Sequence, residues 1–219
     1  MKTIIKTSVL LIAAMILSSC GTESEKMSCK LPKSYTVKKL AAPLTVDANW
    51  DKPAWQGVLP VELTYYMGDK PQHFPKVQSK VAYDEDNIYV IFRVDDNYIK
   101  AVAQKNQDAV CRDSCVEFFF TPGDDISRGY MNMETNCCGI ILLFFQKSRG
   151  QDVVKVSQED LAKIEIAHSL PYTVITEEIQ KPTVWTLEYR IPISVIEKYV
   201  PVTKPASGVV WKGNFYKCA

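Results

Sequence analysis

The sequence predicts an all-β protein, a β-sandwich or jelly roll that carries one or two short helices. Short runs of β-forming residues recur between positions 79 and 191, and polar or proline-glycine turns separate them. Within these runs apolar side chains alternate with polar ones, which is the period of a strand buried on one face. About 200 residues follow the N-terminal leader, a length that a single sandwich domain can fill.

The first predicted element is a hairpin over residues 79–95 (SKVAYDEDNIYVIFRVD), with the polar turn DEDN at 84–87. Alternate side chains of its second strand face opposite sides of the sheet. Ile88, Val90, Phe92 and Val94 share one side, and Tyr89, Ile91, Arg93 and Asp95 share the other. This period of two predicts a half-buried strand.

Four further strands are predicted downstream, over residues 114–121, 130–136, 140–146 and 184–191. The first of these ends at the turn PGDD (122–125). The last ends at Pro192, because proline has no N–H to donate to a sheet. Residues 158–166 and 193–199 are the two helix candidates, and the sequence contains no internal repeat.

The N-terminal sequence MKTIIKTSVLLIAAMILSSC predicts export and a lipid anchor. Lys2 and Lys6 precede an apolar run of nine residues, which is shorter than the roughly 20 residues that span a bilayer. The run ends in LSSC, which resembles the lipobox of bacterial lipoproteins, whose cysteine is acylated. We therefore expect residues 1–19 to be a signal peptide and Cys20 to be lipidated, with an ordinary secretory signal as the alternative.

These assignments divide the chain and predict its location. Residues 20–34 would form the lipidated cysteine and a polar tether, and residues 35–219 would form the folded domain. The protein would then be exported and held by its lipid at the bacterial envelope, at the outer membrane or the cell surface.

The charge and the cysteine content of the chain bear on nucleic-acid binding, disulfide formation and metal binding. Without residues 1–19 the chain has 24 basic and 25 acidic side chains and no basic run, so nucleic-acid binding is disfavoured. Six cysteines besides Cys20 favour disulfides in an exported chain, with 15 pairings open. Zinc is a weak alternative because CxxC spacing is absent and the two histidines are distant, and buried free thiols are another. The six are Cys29, Cys111, Cys115, Cys137, Cys138 and Cys218.

The sequence contains none of the common catalytic motifs. It lacks GxSxG and a glycine-rich phosphate loop, and His73 and His168 have no evident triad partners. Glu117 and Glu134 are a conceivable carboxylate pair for glycosidase chemistry, which requires a defined separation across the bond. Solvated or salt-bridged acids are the other interpretation of carboxylates on strands.

The predicted strand 130–136 (YMNMETN) indicates a binding surface. Tyr130, Asn132, Glu134 and Asn136 project from one side, and Met131, Met133 and Thr135 project from the other. An aromatic ring, two amides and a carboxylate suit a sugar, because sugar C–H faces stack on rings and hydroxyls need paired donors and acceptors. An ordinary solvated strand face is the competing interpretation.

Neighbouring segments add candidates to this surface. The C-terminal WKGNFYKCA contains three further aromatic residues and an asparagine, although the commonest role of Trp211 and Phe215 would be core packing. Asp113 and Glu117 share strand parity and could line the same face as a ligand, and pairing with Arg93 or Arg112 is the alternative. The predicted carbohydrate-binding set is Arg93, Asp113, Glu117, Tyr130, Asn132, Glu134, Asn136, Trp211, Asn214 and Tyr216.

Six motifs occur in a fairly specific order along the chain. They are LTVDANWDKPAWQ (44–56), KVAYDEDNIYVIFRVDD (80–96), RDSCVEFFFTP (112–122), YMNMETN with CCG (130–139), WTLEYRIPISVI (185–196) and GNFYKC (213–218). In this order they resemble family 9-type carbohydrate-binding modules, and most closely the single-domain lipoprotein branch of Bacteroidetes-like bacteria. The similarity covers nearly all of the chain after the leader.

The resemblance implies a β-sandwich related to DOMON-type domains, a glycan ligand and structural calcium. It also implies a part in the breakdown of xylan or other polysaccharides, alongside other glycan-degrading proteins. Members clamp a terminal sugar between two tryptophans, but this chain has Val110 and Cys111 where members tend to place an aromatic residue. The chain also ends at Ala219, where relatives usually continue, so a truncated terminus is an alternative.

We therefore expect non-catalytic glycan binding by an envelope-anchored lipoprotein. A glycoside hydrolase, or an accessory subunit of one, is the alternative function. A DOMON-like haem or redox protein is the second alternative, supported only by Met131, Met133 and the cysteines. The sequence names neither the glycan nor a set of metal ligands.

Overall fold

A computed structural model describes residues 34–218 and contains two β-sheets that pack face to face, which confirms the predicted sandwich. The predicted signal peptide, Cys20 and Cys29 lie outside these described residues. Within residues 34–218, no helix has the length and apolar character that crossing a bilayer requires.

The chain forms eleven strands, of which β4 and β10 are long with 15 and 18 residues, and two short α-helices within residues 34–218. In chain order they are β1 (Lys38–Lys39), β2 (Val61–Leu63), β3 (Lys76–Tyr83), β4 (Asn87–Ala101), β5 (Cys115–Thr121), β6 (Tyr130–Asn136), β7 (Ile141–Gln146), β8 (Val154–Lys155), α1 (Gln158–Leu161), β9 (Glu165–His168), β10 (Ile175–Pro192), α2 (Ile193–Ile196) and β11 (Lys212–Cys218). Three short 3-10 helices at Pro53–Trp55, Val110–Arg112 and Ile126–Arg128 complete the set.

The first sheet has the strand order β1-β3-β4-β10-β9, and β2 also pairs with β3. Only β1 runs parallel to its neighbour; the other strand pairs of this sheet are antiparallel. The predicted hairpin is β3–β4, and Asp84 closes its turn by accepting hydrogen bonds from the backbone N–H groups of Asp86 and Asn87.

The second sheet has the strand order β11-β5-β6-β7-β8, and all of its pairs are antiparallel. The C-terminal strand β11 lies beside β5 although about 90 residues separate them in the chain, a long-range pairing that no local pattern specifies. Strands β5, β6 and β7 match the sequence predictions within one residue.

The core lies between the sheets and is made by alternate side chains, as the period of two predicts. The first sheet contributes Ile88, Val90, Phe92, Val94, Trp185, Leu187, Tyr189 and Ile191, and the second contributes Val116, Phe118, Phe120, Met131, Met133, Ile141 and Leu143. The facing sides of both sheets are therefore apolar, and only the outer sides can present polar groups.

The helix predicted over residues 158–166 was only partly right. Helix α1 ends at Leu161, and Glu165–His168 forms the edge strand β9, which pairs with the end of β10. Ser157 caps α1 by accepting a hydrogen bond from the backbone N–H of Asp160. The predicted helix after Pro192 is present as α2.

The N-terminal part of the domain covers the outer side of the first sheet. Leu40, Leu44, Trp55 and Val58 pack on the outward side chains of β3 and β4. The buried carboxylate of Glu188 on β10 holds this segment in place, because it accepts four hydrogen bonds from residues 47–55. On the outer side of the second sheet, Ala103 and Val110 cover Cys115 at one end.

Candidate functional site

The outward side chains of β11, β5, β6 and β7 form one surface, which we call the polar face. Strand register aligns them in rows across the sheet. The rows are Cys218–Cys115–Asn136, Tyr216–Glu117–Glu134–Leu142 and Asn214–Phe119–Asn132–Phe144, followed by Tyr130 beside Gln146. Six predicted site residues therefore share one face: Glu117, Tyr130, Asn132, Glu134, Asn214 and Tyr216.

Aromatic rings occupy the middle of the polar face. The ring centroid of Phe119 lies 5.0 Å from that of Tyr216 and 6.0 Å from that of Tyr130. Gln146 fixes Tyr130, because its side-chain amide donates a hydrogen bond to the Tyr130 hydroxyl at 2.6 Å. Burial and the neighbouring Tyr216 raise the pKa of the Tyr130 hydroxyl, so it stays a neutral hydrogen-bonding group at neutral pH.

These rings border a shallow groove with a volume of about 410 Å³. Its walls combine aromatic side chains with groups that form hydrogen bonds, and they include Phe119, Thr121, Ile126, Tyr130, Lys212, Asn214 and Tyr216. Asn214 and Lys212 are exposed there, and the Asn214 amide lies 3.3 Å from the Tyr216 hydroxyl. Flat rings beside freely placed donors and acceptors are what a sugar ring requires.

Three polar side chains in the middle of this face, Asn132, Glu134 and Glu117, are buried, and we call them the inner polar layer. Asn132, only 3% exposed, donates a hydrogen bond from its amide to Glu134 Oε1 at 2.8 Å. Glu117 faces Glu134 directly from the next strand, and both are more than nine-tenths buried. Burial raises the pKa of both carboxyl groups, and Glu134 contributes further to raising that of Glu117 to about 7.

Two predicted site residues have structural partners at the far end of the face. Asp113 is buried and accepts hydrogen bonds from the backbone N–H groups of Val102 and Ala103 and from the Asn136 amide. Asn136 in turn accepts hydrogen bonds from the N–H groups of Cys138 and Ile140. These bonds use the polar atoms of both residues to fix the loop and the turn next to β5 and β6.

Arg93 and Trp211 do not lie on the polar face with the other predicted site residues. Arg93 is on β4 in the first sheet and faces the outer side of that sheet, because its neighbours Phe92 and Val94 face the core. Trp211 stacks on the core residue Phe120 with ring centroids 5.7 Å apart, and its indole N–H donates to the Thr203 carbonyl. The positive charge of Arg93 and the aromatic ring of Trp211 do not by themselves indicate which sheet or which side each residue occupies.

Sequence reasoning missed three side chains of this face: Phe119, Phe144 and Gln146. Phe119 follows Glu117 by two positions on β5, so the period of two could have placed it on the same side. Phe144 lies opposite Asn132 on β7 and is partly exposed. Both segments, 114–121 and 140–146, are rich in apolar residues, which favours placing Phe119 and Phe144 in the core and not on the polar face.

The five described cysteines are free thiols, so the predicted disulfides are not present among residues 34–218. Within those residues, one group of acidic, cysteine or histidine side chains is close enough to share a metal ion. It consists of Cys115, Glu117 and Glu134, and its thiol makes it a poor fit for the structural calcium that the resemblance implied. Met131 and Met133, which supported the haem alternative, are buried in the core.

The two packed sheets form a β-sandwich of the type found in carbohydrate-binding modules. Residues 51–219 match the sequence profile of Carbohydrate-binding family 9, and the chain belongs to that family. No curated protein sequence is significantly similar to this chain.

Solved structures share the fold. A protein from Bacteroides uniformis ATCC 8492, provisionally described as carbohydrate-binding, is 28% identical with a TM-score of 0.72, and the similarity covers 83% of this chain and 82% of that one. A family 9 carbohydrate-binding module from Caldicellulosiruptor kristjanssonii in complex with glucose is 15% identical, with a TM-score of 0.53 and coverage of 83% and 76%. The same kind of module in complex with cellotriose has a TM-score of 0.52 at 15% identity, with coverage of 83% and 75%.

Proposed function

We propose that this family 9 domain binds the sugar of a polysaccharide built from β-linked glucose or xylose, and that it binds without cleaving. The observation that supports this proposal is the groove between Phe119, Tyr130 and Tyr216, with Asn214 and Lys212 at its edge. A sugar ring would stack on the aromatic side chains while its hydroxyls pair with the exposed amide and ammonium groups. The related modules solved with glucose and cellotriose suggest which ligands to test first.

The inner polar layer would support this groove and not contact the sugar directly. Asn132 and Glu134 are hydrogen-bonded to each other and nearly inaccessible, so their part is to hold the neighbouring strands and rings in position. Because the side chains of a preformed groove are already ordered, binding loses little conformational entropy, and more of the free energy of the sugar contacts contributes to affinity.

The first test is a calorimetric titration of the purified protein with glucose, xylose, cellotriose and xylotriose. We expect saturable binding of at least one oligosaccharide. The absence of measurable binding across all four ligands would contradict the proposal for this ligand class.

Hydrolysis of glycosidic bonds is the alternative function, because one carboxylate oxygen of Glu117 lies within 4.8 Å of one of Glu134. A retaining glycosidase places its carboxyl groups about 5–5.5 Å apart and needs one of them ionised as the nucleophile. Here burial raises the pKa of both groups, and neither is open to a sugar ring. New reducing ends released from xylan or a β-glucan, and lost in Glu117→Gln, would instead establish an enzyme.

We further propose that a lipid on Cys20 holds this domain at the bacterial envelope, where it captures polysaccharide for breakdown. The support is the LSSC sequence at the end of a short apolar leader. The variant Cys20→Ala should lose incorporation of a labelled fatty acid in the producing cell and appear in the soluble fraction. Unchanged labelling of that variant would contradict the anchor assignment.

A further inference from the structure

A cluster of thiols and carboxylates lies at one end of the polar face, beside the groove. One ligand atom each from Cys115, Glu117 and Glu134 lies within 4.8 Å of the other two. Cys218 joins this cluster, because its thiol donates a hydrogen bond to Glu117 Oε1 at 2.9 Å and it pairs directly with Cys115 across β11 and β5. The four side chains come from three adjacent strands and face the same side.

The cluster has a buried acceptor without a partner. Glu134 is more than nine-tenths buried, its Oε1 accepts the Asn132 amide, and its Oε2 has no hydrogen-bond partner in the described part of the chain. Within residues 34–218, no lysine, arginine or histidine side chain forms a salt bridge with Glu117 or Glu134. Two carboxylates at this depth without a cation are costly unless they are protonated or bind a metal ion.

We propose that Cys115, Glu117, Glu134 and Cys218 form a binding site for a zinc ion. Two thiolates and two carboxylates suit a borderline-soft cation in tetrahedral coordination, whereas calcium and magnesium prefer oxygen ligands only. Zinc bonds of about 2.0–2.3 Å place tetrahedral ligand atoms about 3.3–3.8 Å apart. The ligand atoms of Cys115, Glu117 and Glu134, which lie within 4.8 Å of one another, therefore need to approach by at most about 1–1.5 Å, and the Cys218 thiol already lies 2.9 Å from Glu117 Oε1.

The position of the site follows from strand register and not from sequence spacing. Cys115 and Cys218 belong to no CxxC motif, yet the pairing of β11 with β5 places them opposite each other. The same register places Glu117 opposite Glu134. A bound ion would balance two of the four negative ligand charges and cross-link the three strands that carry Tyr130, Phe119 and Tyr216.

Cobalt is the probe that reports thiolate ligands directly. The purified protein is reduced, freed of metal with a chelator and titrated with Co²⁺, and then zinc is added against a chelating competitor. We expect one ion per chain and a thiolate-to-cobalt charge-transfer band that zinc abolishes. Cys115→Ser and Cys218→Ser each remove one of the two thiolates, so each should markedly lower the intensity of the band and weaken zinc binding by more than about 100-fold, beyond the loss typical for changes to residues that only support a ligand.

The control is Cys138→Ser, which removes a buried thiol that is not part of the cluster. This variant should keep the band, and circular dichroism should show that all three variants are folded. A reduced protein without the band, or a band of undiminished intensity in Cys115→Ser or in Cys218→Ser, would overturn the proposal. A native disulfide between Cys115 and Cys218, with no zinc binding after its reduction, would also overturn it.

Discussion

Replacing Glu188 by glutamine tests how residues 40–58 are held on the outer side of the first sheet. The Glu188 carboxylate is fully buried and pairs with the Lys52 ammonium at 2.7 Å. Its Oε2 also accepts the backbone N–H groups of Asp47 and Ala48, and its Oε1 accepts the indole N–H of Trp55. One side chain therefore satisfies four donors from the covering segment.

The expected cost follows from these four bonds. An amide oxygen at the Oε2 position would keep three donors but would turn its NH₂ group toward the Trp55 N–H, leaving that buried donor unpaired at about 1–3 kcal/mol. It would also leave the buried ammonium of Lys52 with the half-exposed Asp47 carboxylate as its remaining counter-charge, which is a partial loss of a buried ion pair whose complete loss costs about 3–5 kcal/mol. Because these contributions overlap, we expect a total loss of about 3–5 kcal/mol for Glu188→Gln.

Urea denaturation followed by tryptophan fluorescence measures this loss, with Glu85→Gln as the matched control. Glu85 forms the same kind of pair with Lys39, but on the surface, where such a bridge contributes about 0–1 kcal/mol. A loss below about 1 kcal/mol for Glu188→Gln, or one equal to that of the control, would refute the reasoning. The folded variant should still bind sugar with unchanged affinity, because Glu188 lies on the first sheet.

Two further perturbations test the positioning of Tyr130 and the acid sensitivity of the fold. Gly129 has φ +94°, and an added Cβ would lie 2.7 Å from the Gln146 carbonyl oxygen. Gly129→Ala should therefore lower the urea midpoint and weaken sugar binding together, and a variant as stable as wild type would contradict this account. Hydrogen bonds from Lys163 and Lys198 hold the pKa of Asp160 below its ordinary value. Because this stabilisation is present above the unfolded pKa of about 3.9 and is lost as pH falls toward the folded pKa, Asp160→Asn should be less stable than wild type at pH 7 and the difference should shrink below about pH 4. A difference that is independent of pH would contradict the ionic role.

Several strands were predictable because local alternation fixes both the element and the side that faces the core. This holds for β4, β6 and β10, whose inward residues match the predicted sets. The outer side of β4, predicted to be open, is buried at Tyr89 and Ile91 because the N-terminal segment covers it. The region 158–168 was not predictable in the same way. Its second half becomes strand β9 through pairing with β10, a tertiary contact that overrides local helical pattern.

In the candidate site too, the side of a strand on which a residue lies was predictable from the local sequence, whereas the pairing of distant strands was not. The parity of residues 130–136 placed Tyr130, Asn132 and Glu134 on one side, and the structure has them there. Which strands lie side by side could not be predicted, so Arg93 was grouped with residues of the polar face although it lies in the first sheet. The approach of Cys218 to Cys115 depends on a pairing between distant segments, and for this reason sequence spacing argued against a metal site.

The central claim is that the aromatic groove of the second sheet binds the sugar, and the most direct measurement is a calorimetric comparison of Tyr130→Ala with wild type. The control is Tyr172→Ala, which removes an exposed tyrosine outside the groove. With the oligosaccharide that wild type binds best, the account predicts at least a tenfold loss of affinity for Tyr130→Ala, about 1.4 kcal/mol, and no change for the control. Equal affinity of the two variants, with both shown to be folded, would contradict the claim.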